Sequence, residues 1–94
     1  MIAVRIAWTN NEKTDERERH LEAHKAYLRR ADIRILQSGP FTSARGTGAL
    51  IAAEVHGLGA MQSFSDADPF VVHEVYREID ILEWTVTLSA GSNL

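Results

Sequence analysis

Apolar and polar side chains alternate along the first segment of the chain, residues 2–8. A period of two is typical of a strand that buries one face, so this segment predicts a half-buried β-strand. The strand is expected to end at Thr9-Asn10-Asn11. One of its faces carries Ile2, Val4, Ile6 and Trp8, and the other carries Ala3, Arg5 and Ala7.

The segment from Asp15 to about Asp32 contains neither glycine nor proline and is rich in strong helix formers. It therefore predicts a helix, and Thr14 or Asp15 is expected to cap its start. Apolar positions with a spacing of three or four residues place His24 on the inner face of this helix, with Tyr27 at the edge of that face. The inner face consists of Leu21, His24, Leu28 and Ala31.

The rest of the chain predicts three further strands and a second, shorter helix. The second strand is expected to close at Gly39-Pro40, because proline fits poorly inside a strand ladder. In the last strand the apolar phase shifts midway, which indicates a bulge or a change of partner. The expected elements are a strand at 33–38, a loop at 42–48, a strand at 49–56, a helix at about 60–66, a short turn or helix after Pro69 and a strand at 79–88.

The order β-α-β-β-α-β predicts a single α+β domain over residues 1–94 with the ferredoxin-like fold. In that fold, four strands form one antiparallel sheet and both helices lie on one of its faces. The other face is also apolar in this chain, and an exposed apolar face needs a cover. A second copy of the chain is the simplest cover, so we expect a homodimer that forms through the sheet face.

Composition narrows the range of functions. The chain has 94 residues, a formal net charge of −3 and no cysteine, which excludes disulfides and thiolate metal sites. Basic residues of the first helix are interleaved with acidic ones, so nucleic acid is not an expected partner. No apolar run approaches the ~20 residues of a membrane helix, and the N-terminus lacks the pattern of a signal peptide. The expected location is the cytoplasm, with no membrane partner.

Asp68 and His24 are the best candidates for chemistry. Asp68 precedes Pro69 at a junction between two predicted elements, where an aspartate can cap a new turn. A histidine beside a carboxylate forms a proton-transfer pair, because the carboxylate orients the ring and favours its charged form. The alternatives are a plain helix cap at Asp68 and a core-edge histidine at His24. The spacing alone leaves open whether the two side chains meet.

Other patterns are weaker. His20 and His24 have a metal-compatible spacing but need a third ligand, such as Asp66 or His73, so neither a metal nor another cofactor is expected. Ser38 and Ser65 do not lie on the strand-turn-helix elbow of a nucleophile. The glycines of residues 46–48 precede no helix that would bind phosphate.

Several short motifs, taken in order, resemble the YCII-related family, and the resemblance extends over about residues 1–88. They are His24-Lys25-Ala26-Tyr27-Leu28, Ser38-Gly39-Pro40-Phe41, Ala67-Asp68-Pro69-Phe70 and Glu83-Trp84. The resemblance implies a ferredoxin-like fold, a dimer of the α/β-barrel type and a His-Asp dyad, which by match is His24 and Asp68. One position departs from the family pattern. The family often has an arginine three residues before the histidine, where this chain has Leu21, and Arg17 or Arg19 is the expected substitute.

The resemblance also suggests an activity. Some members of the family are dehalogenases of chlorinated aromatic compounds, and the fold is similar to that of muconolactone isomerase. We therefore expect an enzyme without a cofactor that uses His24 and Asp68 to isomerise a small cyclic or aromatic compound or to eliminate a group from it. Phe41, Phe70 and Tyr27 are the expected substrate contacts. The alternative is a non-catalytic module that binds a small ligand or serves only to dimerise.

Overall fold

The computed structural model describes residues 1–90. Within this range, every helix falls short of the length and apolar character that crossing a membrane requires. The elements follow the order predicted from the sequence, with a 3-10 turn at Asn11–Lys13 added, and the short turn or helix expected after Asp68 is a one-turn helix. They are β1 (Ile2–Thr9), α1 (Thr14–Arg29), β2 (Arg34–Ser43), β3 (Gly46–Glu54), α2 (Leu58–Ala67), α3 (Pro69–Val72) and β4 (Tyr76–Trp84).

The four strands form one antiparallel sheet in the order β2-β3-β1-β4. This topology confirms the predicted ferredoxin-like α+β fold. β1 is a central strand, and all three residues of its inner face, Ala3, Arg5 and Ala7, are fully buried. The small alanines let the helices approach the sheet closely, and the long Arg5 side chain lies between the two layers.

The hydrophobic core lies between the sheet and the helices. Met61 and Phe64 of α2 pack against inner-face residues of β1 and β3, and Tyr27 and Leu28 of α1 close the side of the cluster. At about 25 cal/mol per Å² of apolar area buried, such side chains supply most of the stabilisation of so small a domain. The buried members of the cluster are Ala3, Ile51, Ala53, Val55, Met61 and Phe64.

The hairpin between β2 and β3 differs from the prediction. β2 does not close at Gly39-Pro40 but continues to Ser43, and β3 begins at Gly46. Pro40 is tolerated because β2 is an edge strand, where one side of the backbone has no neighbour to bond. Most of the segment predicted as a loop therefore belongs to the ladder, and the turn is confined to residues 44–45.

Of the two explanations for the shift of apolar phase in the last strand, a bulge or a change of partner, the bulge is absent from residues 79–84. β4 pairs in regular register with β1 from Ile79 to Trp84 and ends there, short of the predicted Leu88. The register shift lies earlier, opposite Trp8 and Thr9. The change in apolar phase has another cause: Ile79 and Ile81 pair with inner-face residues of β1, whereas Leu82 and Trp84 pair with outer-face residues.

The outer face of the sheet is thus apolar, and no helix of residues 1–90 packs on it. Trp8 packs edge-on against Phe41 with ring centroids 4.9 Å apart. Gly48 makes this contact possible, since a Cβ atom there would lie 2.5 Å from the Phe41 ring and 2.2 Å from the carbonyl oxygen of Ala7. Further along the same face, Leu82 and Trp84 are 38% and 50% exposed. These two side chains are part of the surface expected to need a cover.

Candidate functional site

The junction of α2 and α3 holds Asp68 in place. Asp68 ends α2 with an extended backbone, and Pro69 then starts the single turn of α3. The Asp68 Oδ1 atom accepts a hydrogen bond from the Phe70 backbone N–H at 2.9 Å, which is the geometry of an N-cap. The capping role considered from the sequence is therefore present. The bond to Phe70 uses only one of the hydrogen-bonding positions of the carboxylate.

The remaining lone pairs of Asp68 bind two cationic or ionisable side chains from distant parts of the chain. Oδ1 lies 2.7 Å from His24 Nδ1, and Oδ2 accepts a hydrogen bond of 2.9 Å from Arg5 Nη1. Asp68 and Arg5 are both 0% exposed, and His24 is 8% exposed. The fold thus brings His24 and Asp68 together across 44 positions of sequence and adds a buried arginine to the pair.

Opposing effects act on the Asp68 carboxyl. Burial alone would raise the pKa of Asp68, because it disfavours a charge. The hydrogen bond and charge of His24, the Phe70 N–H and the charge of Arg5 all favour the ionised form, and together they bring the pKa of Asp68 below its ordinary value. Asp68 is therefore a carboxylate at neutral pH and can only accept hydrogen bonds.

This protonation state fixes the tautomer of His24. Because Asp68 is an acceptor, His24 Nδ1 must carry the hydrogen that lies between them. The neutral ring then has its lone pair on Nε2, which is the arrangement of a general base oriented by a carboxylate. The ring is further held by Phe70, whose plane lies parallel to it with centroids 3.9 Å apart.

His24 lies in the wall of a cavity of about 220 Å³ between the sheet and the helices. A dry cavity of about 150 Å³ holds benzene, so this volume suits a molecule with one ring. The floor comes from the inner face of β2 and β3, and β1, α1 and β4 contribute further polar groups. The polar side chains of the wall are Arg5, Thr9, Arg17, His24, Ser38 and Tyr76.

Tyr76 adds a proton donor to this wall. Burial raises the pKa of Tyr76 to about 12, with the Asp68 charge acting in the same direction and Arg5 and Arg17 opposing it. The phenol therefore stays protonated at any physiological pH. Its ring lies 5.3 Å from the guanidinium carbon of Arg5 and edge-on to Phe70.

Arg5 is the site residue that the sequence reasoning missed. Alternation in residues 2–8 places Arg5, the only charged residue there, on the face opposite Ile2, Val4, Ile6 and Trp8. The structure shows that the face of Arg5 is the inner one. A charged residue at an inward position needs a buried partner, but alternation alone did not identify which face points inward. Its partner, Asp68, lies 63 positions away.

Of the three predicted substrate contacts, only Phe70 lines the cavity of His24. Phe41 does not line this cavity, because β2 runs on through Pro40. Alternation along that strand then sends Pro40 to the cavity and Phe41 to the outer face, against Trp8. Tyr27 lines a different, larger cavity of about 710 Å³, and its hydroxyl donates to the Phe64 carbonyl at 2.8 Å. Burial, reinforced by the Asp68 charge, raises the pKa of Tyr27.

The two arginines considered as substitutes at Leu21 have different positions. Arg17 lies in the cavity wall, whereas Arg19 is paired with Glu16 at 2.8 Å on the exposed side of α1. The arginine that actually contacts the predicted dyad is neither of these but Arg5, which comes from the sheet.

The serines and histidines considered as nucleophiles or metal ligands lie in different parts of the structure. Ser65 is fully buried and accepts a hydrogen bond of 3.4 Å from Arg5 Nη1, and Ser38 lies in the cavity wall. Near the start of α1, ligand atoms of Glu16, His20 and His73 lie within 4.8 Å of one another. The rings of His20 and His73 are stacked in parallel, 3.5 Å apart, so their nitrogen lone pairs lie in parallel planes and do not converge on one point.

Comparison with known proteins agrees with the motifs. A family model described as the YCII-related domain matches residues 1–85. Protein YciI of Escherichia coli O6:H1 is 31% identical, in an alignment that covers 74% of this chain and 85% of that protein. Protein YciI of Shigella flexneri matches to the same extent.

Solved structures with a similar fold include one enzyme and one protein whose name states no activity. A 5-chloro-2-hydroxyhydroquinone dehydrochlorinase from Burkholderia phenoliruptrix AC1100, in complex with 2,5-dihydroxybenzoquinone, has a TM-score of 0.79 at 22% identity, covering 90% of this chain and 94% of its own. Rv0793 from Mycobacterium tuberculosis has a TM-score of 0.51 at 11% identity, covering 94% and 97%. These likenesses support the fold.

Proposed function

Because the chain belongs to the YCII-related family, we propose that it is a cofactor-independent enzyme that transfers a proton on a small cyclic or aromatic compound. The reaction is an isomerisation or an elimination, such as loss of halide. The observation that carries the proposal is the buried contact of 2.7 Å between His24 and Asp68 in the wall of a cavity the size of one ring.

Each member of the site has a separate role. His24 Nε2 is the general base, because its lone pair is the one that the contact with Asp68 leaves available. Asp68 is a positioning residue: it fixes the tautomer and stabilises the imidazolium that forms. Phe70 holds the ring plane by stacking and forms an apolar part of the wall.

The elimination balances within this site. His24 Nε2 takes a proton from a ring carbon or hydroxyl of the substrate, and the electron pair released forms a new double bond. Chloride, or another leaving group, departs with its own bonding pair, so no oxidant or reductant takes part. In an isomerisation the imidazolium returns the proton to a different atom. The dehydrochlorinase whose fold this chain shares is named for an elimination of this type, which supports the proposed class of reaction.

The test is an activity panel for the wild-type protein. Cyclic ketones and hydroxylated aromatics are incubated in deuterium oxide and examined by NMR for exchange of carbon-bound hydrogen. 5-Chloro-2-hydroxyhydroquinone is assayed in parallel for chloride release. We expect exchange or chloride release above the buffer rate for at least one compound. Binding of panel compounds without any exchange or release would instead favour the non-catalytic ligand-binding module.

The proposed function also involves a second copy of the chain. We propose that the chain forms a homodimer through the outer face of the sheet, where Leu82 is 38% exposed and Trp84 is 50% exposed. At micromolar concentration, sedimentation should therefore give twice the mass of the chain.

Leu82→Glu should shift this equilibrium to the monomer, because it places a charge on the proposed interface. The matched control is Leu58→Glu on α2, where the original side chain is 40% exposed and lies away from the sheet. A wild-type monomer would refute the dimer, as would equal effects of the two substitutions.

A further inference from the structure

Arg5 uses only part of its hydrogen-bonding capacity inside the protein. Its Nη1 atom donates to Asp68 Oδ2 at 2.9 Å and to Ser65 Oγ at 3.4 Å. The Nε and Nη2 atoms are buried and have no partner among the residues that the structure describes. A buried donor that lacks an acceptor costs about 1–3 kcal/mol, and more when the group is charged.

The two unpartnered atoms form one edge of the guanidinium group. In arginine, the Nε–H bond and one Nη2–H bond are parallel and point the same way, which is the donor pair that binds two neighbouring oxygens at once. The opposite edge is committed to Asp68. Arg5 therefore holds Asp68 through Nη1, and its Nε–Nη2 edge is left to bind another pair of oxygens.

Within residues 1–90, the surroundings of Arg5 do not supply an acceptor for this edge. The aromatic rings of Phe64 and Tyr76 have centroids 5.8 and 5.3 Å from the guanidinium carbon, where they stabilise the cation through their π-faces. Arg5 itself lies in the wall of the cavity that contains His24. Tyr76 is half-buried and lines the same cavity.

We infer that Arg5 binds the substrate, and that the substrate carries two adjacent oxygens sharing a negative charge at one edge of its ring. This inference rests on the proposed function and specifies its substrate class. A carboxylate and the deprotonated 1,2-keto-enol of a hydroxyquinone both present this pair of oxygens. The cation of Arg17 in the same wall adds to the attraction for an anion.

The first test is the affinity of the wild-type protein for benzoate, benzamide and 2,5-dihydroxybenzoquinone, measured by calorimetry at pH 7. Benzamide has the shape of benzoate but lacks the charge and the second acceptor. We expect one or both of the two-oxygen anions to bind about 10- to 100-fold more tightly than benzamide, as charge-assisted hydrogen bonds imply. Whichever of them binds better identifies the source of the oxygens. Equal affinity for all three would overturn the inference.

The matched variant is Arg5→Lys. Lysine keeps the charge next to Asp68 but has no parallel pair of N–H donors, so the preference for two-oxygen anions over benzamide should fall to less than about 3-fold. A folded variant that keeps the full preference would overturn the inference. If the variant does not fold, the Nε–H proton of Arg5 in wild-type protein provides the readout. Its NMR signal should shift on saturation with the better anion, and an unchanged signal rejects the contact.

His24→Gln separates this inference from the proposed function. The variant should keep the preference for two-oxygen anions, because binding depends on Arg5, even as proton transfer is lost. A protein that shows the preference but no activity in the panel has the binding site without the proposed chemistry. A protein that shows activity without the preference has the chemistry without this substrate class.

Discussion

Asp68→Asn is expected to lower the free energy of unfolding by about 3–5 kcal/mol at pH 7, the range for removing one partner of a buried ion pair. The substitution keeps the size of the side chain and can keep the bond to the Phe70 N–H. The asparagine has a single acceptor oxygen, and its NH₂ group is a donor. This NH₂ group therefore faces a donor of His24 or Arg5, with which it cannot form a hydrogen bond. The charge of Arg5 is then buried without a counterion.

The acid dependence of this effect follows from the lowered pKa of Asp68. A carboxyl with a pKa below its unfolded value of about 3.9 stabilises the fold above that pH, and this stabilisation is lost as pH falls through the folded pKa. The difference between wild type and Asp68→Asn should therefore be complete at pH 7 and should shrink below about pH 4. Chemical denaturation over a pH series measures it.

The control for this prediction is Asp66→Asn, two residues earlier. Asp66 is exposed, and its Oδ1 accepts a hydrogen bond from Gln62 on the same helix. This substitution should change stability little at any pH. If Asp68→Asn proves as mild as Asp66→Asn, Asp68 acts mainly as a helix cap, and the buried network contributes little.

The fold was predictable from the sequence because local patterns determine most of it. Period-two alternation in residues 2–8 predicts a strand, although it does not identify which face of that strand is the inner one, and the helical spacing of Leu21, His24 and Leu28 predicts an inner helix face. The inward position of His24 follows from that spacing, and its observed exposure is 8%. The ends of the strands were less accurate, because ladder pairing extends a strand through residues that local signals mark as breakers.

The candidate site was only partly predictable for a related reason. His24 and Asp68 are named by motifs, but their contact depends on how α1 packs beside the junction of α2 and α3. Phe41 lies outside the cavity because of the edge position of β2, which lets the strand pass through Pro40 and changes which side chain faces the cavity. The sheet register that sets these positions is not encoded in any short segment.

The arginine of the site was also hard to identify from the sequence. The chain has Leu21 where the family often has an arginine, and the sequence directed attention to other arginines of the same helix. In the folded chain, an arginine from β1 reaches Asp68 instead, with both side chains fully buried. An arginine from any of several elements could pair with the same carboxylate. Only the three-dimensional structure identifies which arginine does so.

The largest effect on activity is expected at His24. His24→Gln should lower the rate of the proton exchange or elimination found in the wild-type panel by about 10²- to 10⁴-fold, the usual contribution of a general base. Glutamine keeps a hydrogen-bond donor for Asp68 and much of the volume beside Phe70, so the fold should be retained. What it lacks is a basic nitrogen.

His20 offers a matched control on the same helix, one turn earlier. Its ring stacks on His73 and lies near Glu16, and it is not part of the cavity wall. His20→Gln therefore removes a histidine of similar sequence context without touching the proposed chemistry. Its rate should remain within about 2-fold of wild type, since it leaves the transition-state contacts intact.

The most direct measurement is thus the rate of the panel reaction for wild type, His24→Gln and His20→Gln at one pH, with equal folded fractions verified for each protein. The account predicts a loss of at least about 10²-fold for His24→Gln alone. A folded His24→Gln protein that reacts as fast as wild type would contradict it, whatever the position of the histidine in the cavity.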